Sequence, residues 1–202
     1  MFFSFDGVDG VGKTTQMRLF CEWLTSVGHD VVTCRDPGST ALGERVREIL
    51  LNSDHTTPIA PRSEMLLYMA ARAQLVEEVI RPALDAGKVV VSDRFLLANI
   101  VYQGHAGGID VAEIRTVGGV ATAGIMPNCV YLLDMAPQQA RLRMGTNLDR
   151  IEQRGDEYRE KLRRGFLAEA AISESSVHVI DADRPIEAIQ HELREIAGRV
   201  IP

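Results

Sequence analysis

The sequence predicts a doubly wound α/β domain, and three observations predict it. Five short runs rich in Val and aromatic residues recur along the chain. Amphipathic helical patterns separate them. A glycine-rich turn stands between the first run and the first helix. The runs are not alternating, as expected of strands covered by helices on both faces of a parallel sheet. With 202 residues, 46% hydrophobic and 25% charged, the chain suits a single domain over 1–202 with a full core.

The elements follow in order. "FFSF" at 2–5 reads as the first strand, and a helical pattern over 13–27 ends near Gly28, a plausible stop. "DVVTC" at 30–34 is the second strand, followed by a short amphipathic helix, "ALGERVREILL", at 41–51. Residues 62–81 form the longest helical pattern, with Met65, Met69, Val76, Val79 and Ile80 as its apolar stripe. Pro82 is expected to kink or end it. "KVVVSD" at 88–93 is the third strand, with helices expected near 95–104 and 111–123. "CVYLLD" at 129–134 and "VHVID" at 177–181 complete the strands, with helices near 137–144, 156–173 and 185–199.

Charge and composition exclude several functions. The net charge of −6 disfavours a broad nucleic-acid surface, although a few arginines suffice for a small anion. Cys21, Cys34 and Cys129 are odd in number and form no C-x-x-C, which points to reduced thiols in a reducing compartment. The five histidines have no metal-ligand spacing. No run has the length of a membrane span, and a strand at residue 2 leaves no room for a signal peptide. The expectation is a soluble cytoplasmic protein with no nucleic-acid or membrane partner.

"GVDGVGKT" at 7–14 fits G-x-x-x-x-G-K-[ST] between a strand and a helix, the context that a P-loop requires. Gly7, Gly10 and Gly12 let the backbone turn its N–H groups toward phosphate oxygens, and the helix N-terminus adds its dipole. Lys13 supplies a point charge and the Thr14 hydroxyl a Mg²⁺ ligand. The expected nucleotide-binding residues are therefore Gly7, Val8, Asp9, Gly10, Val11, Gly12, Lys13, Thr14 and Thr15. "VVVSDR" at 89–94 ends an apolar strand in Asp93, placed as a second Mg²⁺ ligand or, alternatively, as a helix cap.

A held nucleotide can drive motion, signal, or donate phosphate. A nucleoside monophosphate acceptor is already ionised, since its second pKa is about 6, and needs no general base. Such a protein needs arginines, an acceptor pocket and a water-excluding lid. Tyr68 and Arg72 stand four apart on one helix face, as do Asn99, Tyr102 and Gln103 at i, i+3 and i+4. Arg94 lies at a strand end. "ARLRMGTNLDRIEQR" at 140–154 is dotted with arginines, and a lid is expected at about 141–155. Taken singly, Tyr68 could be core, Gln103 a surface residue and the arginine run a solvated face.

Together, "FDGVDGVGKTTQ", "RDPGST", "EMLLYMAARAQLVEEVIRPAL", "VVVSDRF…YQG…GID", "YLLD", "LDRIEQ" and "VIDADRPIEAI" resemble the thymidylate kinase family over nearly the whole chain. The resemblance implies a nucleoside monophosphate kinase fold, a five-stranded parallel sheet flanked by helices. It implies transfer from ATP to dTMP with Mg²⁺, and a homodimer. It assigns Asp9 to the acceptor sugar, Tyr68 to stacking on thymine, Arg72 to the thymine edge and Arg94 to the acceptor phosphate. Arg35 matches the arginine of the R-E-P-G-G-T pattern and is placed among the substrate-binding residues. Asn99, Tyr102 and Gln103 match base and sugar contacts, with Tyr102 barring a ribose 2′-hydroxyl.

The chain departs from the pattern at Asp36, where Glu is usual, at Ser39, where Gly is usual, and at Tyr68, where Phe is common. Gly10 stands where one subgroup carries its transition-state arginine. In the other subgroup arginines precede L-D-R-I-E, but here "MGTN" does. Arg143 and Arg150 are the favoured replacements, with Arg141 and Arg154 nearby. Two other functions stay open: a kinase of another nucleotide or of a nucleoside, with Asp9 or Asp36 as base, and a non-catalytic nucleotide switch.

Overall fold

The computed structural model describes residues 1–51, 58–144, 150, 151, 154–173 and 176–201. Five strands form one sheet: β1 (Phe2–Asp6), β2 (Val31–Arg35), β3 (Val89–Asp93), β4 (Cys129–Asp134) and β5 (Val177–Asp181). Their order is β2-β3-β1-β4-β5, and every pairing is parallel. β1 lies at the centre and is buried throughout. Its alternation divides the core: Phe3 and Phe5 face one apolar cluster with Phe20 and Tyr131, and Phe2 faces the other with Val90 and Phe95. Tyr131 is sealed in the first cluster and donates its hydroxyl to the Leu193 carbonyl at 2.8 Å.

Nine α-helical segments surround the sheet among the described residues. They are α1 (Lys13–Ser26), α2 (Ala41–Leu51), α3 (Pro61–Leu75), α4 (Arg81–Asp85), α5 (Leu96–Asn99), α6 (Val111–Thr122), α7 (Pro137–Leu142), α8 (Asp156–Ile172) and α9 (Ile186–Val200). None is long and apolar enough to cross a membrane. The connection leaving β1 runs to the β2 side of the sheet, and the one leaving β3 runs to the β4 side. The carboxyl ends of β1 and β3 therefore flank a switch point, where ligands of such sheets bind.

Two helical stretches differ from the sequence expectation. Pro82 does not end the long helix. A π turn over Val76–Ile80 precedes it, with the Arg81 amide bonded to the Val76 carbonyl, and helix resumes through Asp85. The wider turn gives room to a ring that would otherwise strike the preceding turn's carbonyl. The 95–104 pattern is likewise one α turn, α5, followed by a π turn over Ile100–His105 that carries Tyr102 and Gln103.

Candidate active site

The P-loop joins β1 to α1. Gly7, Gly10 and Gly12 have φ of 129°, 86° and 95°. A Cβ at Gly10 would lie 2.2 Å from the Ala140 carbonyl oxygen, so α7 closes this position to any side chain. The loop thus has no room for an arginine of its own at Gly10. Lys13, at the start of α1, donates to the carbonyls of Gly7 at 3.0 Å and Val8 at 2.8 Å, and reaches Asp9 Oδ1 at 3.5 Å. Burial and the neighbouring Arg94 lower its pKa. Val8 and Val11 are buried under the loop, and Thr14 and Thr15 line the cavity above it.

Asp9 and Arg94 meet across the switch point. Arg94 follows β3 with a positive φ of 67°, an unusual conformation for a side chain this large. Its amide bonds to the Phe5 carbonyl at 2.9 Å, which ties it to β1. Its guanidinium donates to the Gly7 carbonyl at 3.0 Å and to Asp9 Oδ1, and lies 5.1 Å from the centre of the Tyr102 ring. Tyr102 donates its hydroxyl to Asp9 Oδ2 at 3.3 Å. Burial opposes charge on Asp9, yet Arg94 and Lys13 outweigh it and hold the carboxyl well below its ordinary range.

Arg72 is sealed within the fold. Its Nε donates to Asp36 Oδ2 at 2.5 Å and its Nη2 to the Phe95 carbonyl at 3.3 Å. Burial raises the pKa of Asp36 against the pull of Arg72, and Asp36 Oδ1 has no hydrogen-bond partner among the described residues. Asp36 is thus a structural partner of Arg72, which accounts for an acid at this position. Ser39 holds a left-handed backbone, φ 64°, where glycine is easier. Its amide donates to Glu44 Oε1 at 2.7 Å, and its hydroxyl accepts from the Arg35 amide at 2.9 Å.

A polar chain links Asn99, Gln103 and Glu64. Asn99 Nδ2 donates to Gln103 Oε1 at 2.6 Å, and Gln103 Nε2 to Glu64 Oε1 at 3.0 Å. Glu64 Oε2 accepts from Arg150 and from Arg154, the latter at 3.2 Å. Arg150 also donates to the Leu50 carbonyl at 2.8 Å, at the end of α2. Arg143 lies elsewhere, against the Ala182 carbonyl and Asp183 Oδ1, both at 3.3 Å. Arg141 stands 3.7 Å from Asp156. Positions 145–149, 152 and 153 of the expected lid lie outside the described residues.

Two cavities open on this constellation. One, of about 550 Å³, is lined by the P-loop, Asp93, Arg35, Arg143, Arg184 and Ile186, and is of nucleotide size. The narrower one is lined by Tyr68, Arg72, Asn99, Tyr102 and Gln103. Asp9, Asp36, Arg47 and Arg94 line both, so the cavities meet there. Asp93 and Thr14 share the larger cavity, and the buried Asp93 Oδ1 has no partner among the described residues. A hard oxygen pair of this kind suits a Mg²⁺ that takes its other ligands from phosphate and water.

Three residues escaped the sequence reading. Arg47, on α2, donates to the Pro37 carbonyl at 3.0 Å and faces both cavities. Its signal was faint, one Arg in an amphipathic helix. Glu64, which carries no sequence signal of its own, is buried. Asp6 ends β1 wholly buried, and burial drives its carboxyl up to about 7 against Arg94 and Lys13.

A family model described as Thymidylate kinase matches residues 5–193. Thymidylate kinases of an Exiguobacterium species and of Clavibacter sepedonicus are 44% and 43% identical to this chain. They cover 96% and 100% of it, over 92% and 96% of their own lengths. The crystal structure of thymidylate kinase from Ehrlichia chaffeensis matches with a TM-score of 0.82 at 28% identity, covering 98% of each chain.

Proposed function

The chain belongs to the thymidylate kinase family and phosphorylates dTMP to dTDP with ATP; from that premise we propose how its residues share the work. The observation that carries the proposal is the meeting of a donor cavity and an acceptor cavity at Asp9 and Arg94. ATP sits along Gly7–Thr15, with its phosphates on the loop amides and Lys13. Thr14 and Asp93 would hold Mg²⁺, which would offset charge on the donor phosphates. dTMP enters the second cavity, its base between Tyr68, Arg72 and Asn99, its sugar at Tyr102 and Asp9.

Arg94 binds the acceptor phosphate, and Asp9 fixes the guanidinium in place. An oxygen of dTMP then attacks the γ-phosphorus in line as the bond to ADP breaks, with no enzyme-bound phosphoryl group and no general base. The burial of Asp36 beneath Arg72 supports this assignment over a nucleoside kinase that uses Asp36 as base. Arg143, in the wall of the donor cavity, stabilises the transferring phosphoryl group from the donor side. Arg150 lines neither cavity; held by Glu64 and the Leu50 carbonyl, it braces the residues behind the acceptor cavity. Arg35 closes the donor cavity beside Glu44.

The stereochemical course tests the transfer step. With ATP chiral at the γ-phosphorus, one in-line displacement inverts configuration in dTDP. Retention, the sign of a covalent phosphoenzyme, would contradict it.

We further propose a homodimer through α3 and α6. Leu66 and Val120 are 47% and 80% exposed there, beside a shallow apolar groove lined by Met65, Ile109 and Val117. Sedimentation that gives a monomer at micromolar concentration would contradict this. The unpaired thiols Cys21, Cys34 and Cys129 suit a cytoplasmic setting.

A further inference from the structure

Glu64 has no part in the transfer chemistry, yet it is only 4% exposed and both of its carboxylate oxygens are engaged. We propose that Glu64 is a specificity-determining positioning residue. Its carboxylate sets the polarity of the Gln103–Asn99 relay, so that Asn99 meets the base with a hydrogen-bond acceptor. This rests on the reading that Asn99 faces the base.

A carboxylate paired with two guanidiniums can only accept. Gln103 must therefore turn its NH₂ to Glu64 Oε1, at 3.0 Å. Its oxygen is left facing Asn99, which must turn its own NH₂ to it, at 2.6 Å. Flipping either amide would set oxygen against oxygen in a buried site. Asn99 Oδ1 is what remains. Asn99 is 2% exposed and lines the acceptor cavity, and this oxygen has no partner among the described residues. A pyrimidine-dione such as thymine or uracil carries a ring N–H on the edge that this oxygen would meet. Cytosine carries a lone pair there and leaves both groups unpaired. Arg150 and Arg154 hold the far oxygen, so Glu64 cannot swing away from the relay.

The test uses dUMP and dCMP, whose bases differ only on that edge, as acceptors for the full-length enzyme. In Glu64→Gln the neutral amide can present either face to Gln103, and the relay can reverse. The dUMP:dCMP ratio of kcat/KM should then fall about tenfold, the size expected for one buried polar mismatch. General damage cancels in the ratio, because both acceptors meet the same protein. Asn99→Ala should lower the ratio too. Gln103→Leu breaks the relay while leaving the arginine pairs on Glu64, and should lower it even if Glu64→Gln folds poorly. A wild-type ratio in Glu64→Gln and Gln103→Leu, with a lowered one in Asn99→Ala, would overturn the role of Glu64 and keep the base reading. A wild-type ratio in Asn99→Ala would overturn both.

Discussion

Arg72 and Asp36 form an ion pair, Nε to Oδ2 at 2.5 Å, with side chains 1% and 0% exposed. The pair joins the start of the β2–α2 connection to α3 beside the narrower cavity. Removing one partner strands a charge in the fold. Arg72→Ala should therefore cost roughly 3–5 kcal/mol of stability as well as raise KM for dTMP. Arg72→Leu with Asp36→Asn should recover much of the stability but not the KM. Urea unfolding and steady-state kinetics on the same proteins check both.

Gly10 and Gly12 both have positive φ, but only Gly10 lies against another element. Gly12→Ala should cost roughly 1–2 kcal/mol, the strain of a side chain in that region. Gly10→Ala should cost more, because its Cβ meets the Ala140 carbonyl. Thermal melts in which the two variants fall equally would show that α7 does not close the Gly10 position.

Asp6 gives the stability a pH dependence. Burial holds its folded pKa up at about 7, while the unfolded chain has the ordinary value of about 4. The folded state thus binds the proton more tightly. That contribution is full below pH ~4 and is lost as pH rises toward 7, on the order of 4 kcal/mol in all. Asp9, whose pKa is lowered, acts in the opposite sense and only in acid. Unfolding free energy should fall between about pH 4 and 7, and Asp6→Asn should flatten that fall. Parallel pH curves for the two proteins would show that Asp6 is not responsible.

Arg143 and Arg150 separate kinetically. Arg143 borders the larger cavity, and Arg150 is tied to Glu64 and the end of α2. Arg143→Ala should lower kcat and raise KM for ATP with little change in KM for dTMP. Arg150→Ala should change KM for dTMP more than KM for ATP. Identical profiles would mean that the two cations act as one group.

The sheet and the loop were legible because their signals are local. Phe2–Asp6 and Val89–Asp93 are apolar runs that end in acids, and 7–14 is a spacing that few other structures require. Arg72, Asn99, Tyr102 and Gln103 share helix faces by their spacing, the family resemblance singled them out, and all four border one cavity. Partners distant in sequence could not. Asp36 pairs with Arg72 across 36 positions, and Glu64 meets Arg150 across 86. The π turns were also out of reach, since a widened turn alters hydrogen bonding without altering the apolar pattern of Val76–Ile80.

On the proposed reading the acceptor phosphate lies at Arg94, which lines both cavities. Titration of dTMP and thymidine into wild type and Arg94→Ala, each saturated with a non-hydrolysable ATP analogue, tests it most directly. Wild type should bind dTMP at least about tenfold more tightly than thymidine, as expected of a charge-assisted contact. In Arg94→Ala that preference should collapse while thymidine affinity stays. An Arg94→Ala protein that kept the wild-type preference for dTMP would contradict the account.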